Sequence, residues 1–259
     1  MSLPSMAQSS VTGAAILVCD SDLRTASQYA TFVIHLQNAS HWNIAMSTTV
    51  LPPPSDSAAS SGIRFSVLLV LAIWFALVVS LGAKGAFLGR PGAPPIGMAI
   101  GFTAPLLLFF AWLRLSPAFR DFILSLDLRL VAGMQAWRFA GLGFLFLYAY
   151  KVLPGLFALP AGLGDMAVGF AAPWMILGLA RQPDFAASAA FVRWNWLGIL
   201  DLVVALGLGA SMAVAAPGTI STAPMATLPL LLVPVFLVPL FLMLHVAALV
   251  QSRRMRRDV

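Results

Sequence analysis

Long apolar blocks, recurring from Arg64 to the C-terminus, constrain this chain more than any other feature. Phe65 to Ala83 is nineteen residues without one ionisable side chain, and comparable blocks follow. A run of about 18 or more apolar residues is long enough to cross a hydrocarbon core of roughly 30 Å as a helix. Lipid offers the backbone no hydrogen-bond partners, so helices are the natural spanning solution. The expected fold class is therefore an all-α integral membrane protein, a bundle of six transmembrane helices with both termini cytoplasmic. The spans fall at about 65–83, 96–113, 130–150, 160–180, 194–214 and 228–250.

Composition agrees. Hydrophobic residues make up 60% of the 259 and charged residues 9%, where a soluble domain carries about 25% charged. All nine acids are aspartates, and arginine outnumbers lysine 13 to 2. Together with abundant alanine, glycine and proline, this bias is what GC-rich codons give, so a bacterial source and the cell inner membrane are expected. The net charge of +6 comes from arginines scattered over short loops and a tail, a pattern that fits a cytoplasmic rim and not a nucleic-acid surface. The single Cys19 leaves no internal disulfide and no Cys/His cluster for zinc.

Three regions follow from the pattern. Residues 1–62 are polar and read as a disordered tail, ending in a Pro- and Ser-rich linker from Leu51 to Gly62. No basic n-region precedes a sufficient apolar stretch, so a secretory signal is not expected. An alternative is that residues 1–45 precede the true start, with Met46 as initiator; N-terminal mass spectrometry separates the two. Residues 63–252 form the six-helix domain, and 253–259 a basic cytoplasmic tail.

Orientation follows from the basic residues of short loops. With both termini inside, the cytoplasmic side holds Arg24, Arg64, Arg114, Arg120, Arg129, Arg181, Arg193, Arg253, Arg254, Arg256 and Arg257. The outer side holds Lys84, Arg90 and Lys151, a split of 11 to 3. Gly101 to Pro105 in the second span resembles Gly169 to Pro173 in the fourth, which suggests either a parallel repeat or a coincidence of composition. Trp174, Trp194, Trp196, Tyr148 and Tyr150 are expected as interfacial anchors.

Ionisable groups at membrane depth are costly and are functional candidates by default. Four qualify: Arg138, Asp165, Asp201 and His245. Counted from the cytoplasmic span ends, Arg138 lies roughly 12 Å deep, Asp201 roughly 10 Å and His245 roughly 8 Å. Asp165 lies at roughly 22 Å on the same count. This makes Arg138 and Asp201 the expected ion pair, with a guanidinium fitted to a carboxylate through two hydrogen bonds. Gln135, three residues before Arg138, shares its helix face. Asn195, six residues before Asp201, does not share the face of Asp201. Gln135, Arg138, Asp201 and His245 would form a cytoplasm-facing vestibule, or else a buried pair that fixes helix register, with His245 interfacial. Asp165, behind Pro160, Gly162 and Gly164, reads as a flexible outer gate or cation site with Asp165 as the ligand, or else as a helix-dipole carboxylate.

No HExxH, GxSxG or Walker A pattern is present, a bis-histidine haem lacks its second histidine within the spans, and no cofactor or metal is expected. Two functions remain, with an enzyme acting on lipid a distant third. One is a small proton- or solute-linked transporter; the other is a non-catalytic membrane subunit or scaffold whose charges fix packing. The implied partners are the lipid bilayer and either a small solute or proton or another membrane protein.

Overall fold

The computed structural model describes residues 57–89, 93–214 and 220–258. The readings made above for Cys19, Arg24, Met46, Arg90 and the 1–45 segment lie outside that range. Among the described residues the chain is helical and contains no strand. The α-helices are α1 (Ser57–Ala83), α2 (Ile96–Leu115), α3 (Pro117–Ser125), α4 (Leu128–Gln135), α5 (Leu142–Ala149), α6 (Gly155–Arg181), α7 (Ala189–Ala213) and α8 (Val238–Asp258). A 3-10 segment, Ala136–Gly141, joins α4 to α5 in one continuous rod, and a π-turn, Val233–Leu237, leads into α8. Six stretches are long and apolar enough to cross a membrane: Ser61–Ala83, Ile96–Leu115, Leu128–Ala149, Gly155–Arg181, Ala189–Ala213 and Val233–Arg257.

The expected spans thus recur, with informative shifts. The fourth begins at Gly155 and carries Pro160 inside it, where the proline removes one backbone hydrogen bond, a loss that packed membrane helices tolerate. The fifth begins at Ala189, where Ser188 Oγ caps it by accepting from Phe191 N at 3.2 Å. The last runs on to Asp258, so the basic tail is helix and not a separate segment. Ser57–Gly62, read above as linker, are the first residues of α1. The sequence reading also missed α3, which is too short to span and has Phe119 and Ile123 on its buried face. Ser116 starts α3, with its Oγ accepting from Phe119 N at 3.2 Å. Asp127 starts α4 by accepting from Arg129 N at 2.8 Å. Hydrogen bonds from the Arg129 side chain hold the exposed Asp127 carboxyl below the usual carboxylate range.

The two ends of the bundle are tied separately. At one end Gln251 Nε2 donates to Ile123 O and Leu126 O, at 2.8 and 3.0 Å, and Arg256 Nε donates to Ala187 O at 2.8 Å. This end carries Arg114, Arg120, Arg129, Arg181, Arg193 and the arginines of α8. At the other end Thr222 Oγ1 donates to Gly209 O at 2.6 Å, and Gly82 packs under Leu228 and Leu231. Val233–Arg257 is the central stretch and the most buried of the six, whereas Ser61–Ala83 is the least buried.

Polarity is inverted relative to a water-soluble protein. Phe65, Leu115, Leu130, Trp137 and Leu156 are exposed, while Gln135, Arg138, Asn195 and His245 are buried. Apolar layers bracket those polar groups: Leu128, Val131, Ala172 and Phe191 toward the basic end, and Phe144, Leu153, Phe157 and Ala161 toward the other. Of the expected anchors, Trp174, Trp196, Tyr148 and Tyr150 are exposed. Trp194 is not an anchor: it is buried, and its Nε1 donates to Val168 O at 3.2 Å. The two similar pentapeptides meet different surroundings. Gly101 faces Val235 and Phe87, whereas Gly169 faces the backbone of Arg138 and Phe139.

Candidate functional site

Arg138 sits in the 3-10 segment between α4 and α5, and its side chain is fully enclosed. Its Nε donates to Asp165 Oδ1 at 2.7 Å, and one terminal nitrogen pairs with Asp201 Oδ2. The other terminal nitrogen donates to Gly198 O at 3.3 Å and lies 3.1 Å from His245 Nε2. A guanidinium has donors only, so His245 Nε2 accepts and the imidazole is neutral. Its proton then lies on Nδ1, donating to Asn195 Oδ1 at 2.9 Å. Asn195 Nδ2 in turn donates to Phe191 O at 2.9 Å. One line of hydrogen bonds therefore runs from Asp165 through Arg138, His245 and Asn195 toward the basic end.

Four of the five residues singled out in the sequence meet here, and their level differs from the one expected. Arg138, Asp201 and His245 fall at the midpoints of the stretches Leu128–Ala149, Ala189–Ala213 and Val233–Arg257. Asp165 lies three residues from the midpoint of Gly155–Arg181. Its assignment to a separate outer layer is corrected: Asp165 bonds the same guanidinium as Asp201, so the expected pair is a triad. It is not a helix-dipole carboxylate, because α6 begins nearly three turns before it. His245 is not interfacial, since α8 continues thirteen residues beyond it and buries it completely. Gln135 is buried in the same region but bonds elsewhere, donating to Phe241 O at 3.3 Å. Among the described residues no partner reaches Gln135 Oε1.

Glycines make the convergence possible. A Cβ on Gly141 would lie 2.5 Å from Asp165 Cβ, and one on Gly169 would lie 2.5 Å from Phe139 N. A Cβ on Gly164 would overlap the Asp201 carboxylate, and one on Gly198 the His245 ring. Only hydrogen fits at these positions, so α6 and α7 close onto the 3-10 segment and the charged groups reach each other. Gly162 and Gly164 are therefore packing residues inside a continuous helix.

Asn195 and Trp194 are the members that sequence reasoning missed. Six residues at 3.6 per turn leave Asn195 roughly 120° around α7 from Asp201, so the two share no face; Arg138 and His245 bridge the gap between them. The sequence reading set Asn195 aside for lying off the face of Asp201, because nothing along the chain shows that a histidine on another helix joins the two. Trp194 packs edge-on against His245, with ring centroids 5.6 Å apart.

Two cavities adjoin the cluster. One of about 280 Å³ extends from Asp165 past Phe157, Met98 and Gly209 to Pro95 and Thr222, the end with few basic residues. Another of about 140 Å³ is lined by Arg138, Asp165, Trp137 and Val238. Asp165 lines both. The expected vestibule is thus corrected in direction and in membership: the open space beside the charged cluster lies away from the basic end, and Gln135 and His245 are packed shut. A separate apolar cavity of about 370 Å³ toward the basic end, walled by Trp112, Phe119 and Leu126, touches none of these groups. Among the described residues no group of three or more His, Cys, Asp or Glu is placed to hold a metal.

Over the described residues these features define a class: an all-helical protein with six span-capable helices around a buried, mid-helix charged cluster. Within that class, the chain belongs to the family described as Domain of unknown function (DUF8737), whose model matches residues 95–253. The matched stretch contains every member of the cluster. Neither a curated protein nor a solved structure matches the chain.

Proposed function

We propose that this is a multi-pass protein of the bacterial inner membrane, with both termini cytoplasmic, that moves a proton or a proton-linked small solute through the Arg138–Asp165–Asp201 site. An apolar exterior over a polar interior suits lipid as the surrounding solvent. The concentration of arginine at one end sets the orientation. The observation that carries the reading is the position of Asp165, which bonds Arg138 at 2.7 Å and also forms the wall of both cavities. Charge counting supplies the chemistry. One guanidinium faces two carboxylates beside a neutral imidazole, a formal charge of −1 that one proton or one solute cation cancels.

The test is a pH step applied to proteoliposomes of the full chain on a solid-supported membrane. Wild type should give a transient charge displacement that Asp165→Asn and Asp201→Asn abolish while remaining inserted. No displacement in wild type, or equal displacement in the variants, refutes the reading.

The second reading, a non-catalytic subunit or scaffold, is favoured by one specific observation. Gly164 and Gly198 seat the charged groups so closely that the cluster fixes how α6, α7 and α8 pack. Under it Arg138→Gln lowers stability or partner capture and there is no flux to lose.

A further inference from the structure

We infer that the 280 Å³ cavity above Asp165 is a binding site for a small organic cation with an apolar body. The inference rests on reading the Arg138–Asp165–Asp201 cluster as a working site and not as a packing device.

The cavity walls are apolar and partly aromatic, formed by Phe102, Phe144, Phe157 and Leu206 among others, and Asp165 is the one charged residue that lines it. Asp165 Oδ1 is taken by Arg138, and among the described residues no donor reaches the second oxygen. A carboxylate oxygen without a donor, in a wall otherwise made of hydrocarbon, calls for a ligand that brings a donor or a positive charge. Aromatic side chains around it suit the same charge, since ring faces attract cations.

Other ligand classes fit less well. An anion would need Arg138, but that side chain is fully enclosed, and bonds to Asp165, Gly198, His245 and Asp201 use four of its five N–H groups. A hard metal ion wants six or more oxygens, and this cavity offers one carboxylate and the hydroxyls of Thr103 and Thr222. Thr222 already donates its own to Gly209 O. A neutral apolar molecule would leave the cluster with its unmatched charge. The size suits a single-ring amine, since pockets for larger ligands run from about 300 to 1,000 Å³.

Binding of benzyltrimethylammonium, whose charge does not vary with pH, to the full chain in nanodiscs is the test, read by isothermal titration. The neutral 2-phenylethanol serves as control. Wild type should bind the cation saturably, and Asp165→Asn should weaken it at least about tenfold, the loss of one charge-assisted contact. Ala205→Phe, which fills the cavity from α7 and leaves Asp165 in place, should remove binding even if Asp165→Asn fails to fold. No saturable binding, unchanged affinity in both variants, or equal affinity for the neutral analogue overturns the inference. Wild-type pH-step currents without probe binding overturn this inference alone. Probe binding without such currents supports the cation site and retires the transport reading.

Discussion

Removing the cation from the cluster is the sharpest perturbation available. Arg138→Gln keeps much of the side-chain length and deletes the positive charge. The wild-type side chain is fully enclosed, while the two carboxylates it serves are each 16% exposed. After substitution two neighbouring carboxylates face each other with no counter-charge. Breaking a buried pair by removing one partner costs about 3–5 kcal/mol, most of it from the charge left behind. Two carboxylates lose their partner here, but Asp165 can draw water from the cavities, so the same range is expected for the whole change. If the orphaned charge is the cause, removing it must restore stability. The triple change Arg138→Gln, Asp165→Asn, Asp201→Asn should then be more stable than the sum of the three singles by about 0.5–3 kcal/mol. Reversible unfolding of the full chain in mixed micelles, followed by circular dichroism, measures each value. Arg129→Gln is the control, since Arg129 and Asp127 form an exposed pair and should leave the midpoint unchanged. A cost below about 1 kcal/mol for Arg138→Gln, or strict additivity in the triple variant, refutes the reasoning.

Two further predictions follow from the same geometry. Gly164→Ala should displace the Asp201 carboxylate and destabilise by about 1–3 kcal/mol, whereas Gly143→Ala, with nothing within 4 Å of its Cβ, should be neutral or stabilise by up to about 1 kcal/mol. The same micelle unfolding decides it, and equal effects at the two sites would remove the packing role assigned to Gly164. For topology, Lys84→Cys and Lys151→Cys in a Cys19→Ser background should label with an impermeant maleimide on intact cells, and Arg254→Cys only after permeabilisation. Labelling of Arg254→Cys on intact cells reverses the orientation.

The sequence by itself determined the six apolar blocks and the few charges they contain, because span length and helical periodicity are local properties. It also placed Arg138 beside Asp201. It misjudged depth, since depth was counted from span ends that the sequence marks poorly. α6 starts before Pro160 and α8 runs through the basic tail, so Asp165 and His245 each moved to the helix centre. Which charges meet was decided by tertiary packing. Glycines at 141, 164, 169 and 198 let helix backbones approach until Arg138 reaches both aspartates, and nothing in the local pattern says which face of one helix another will seat. Asn195 joined for the same reason, through a histidine fifty residues away. The cavity, and the end toward which it opens, exist only between helices and leave no trace along the chain.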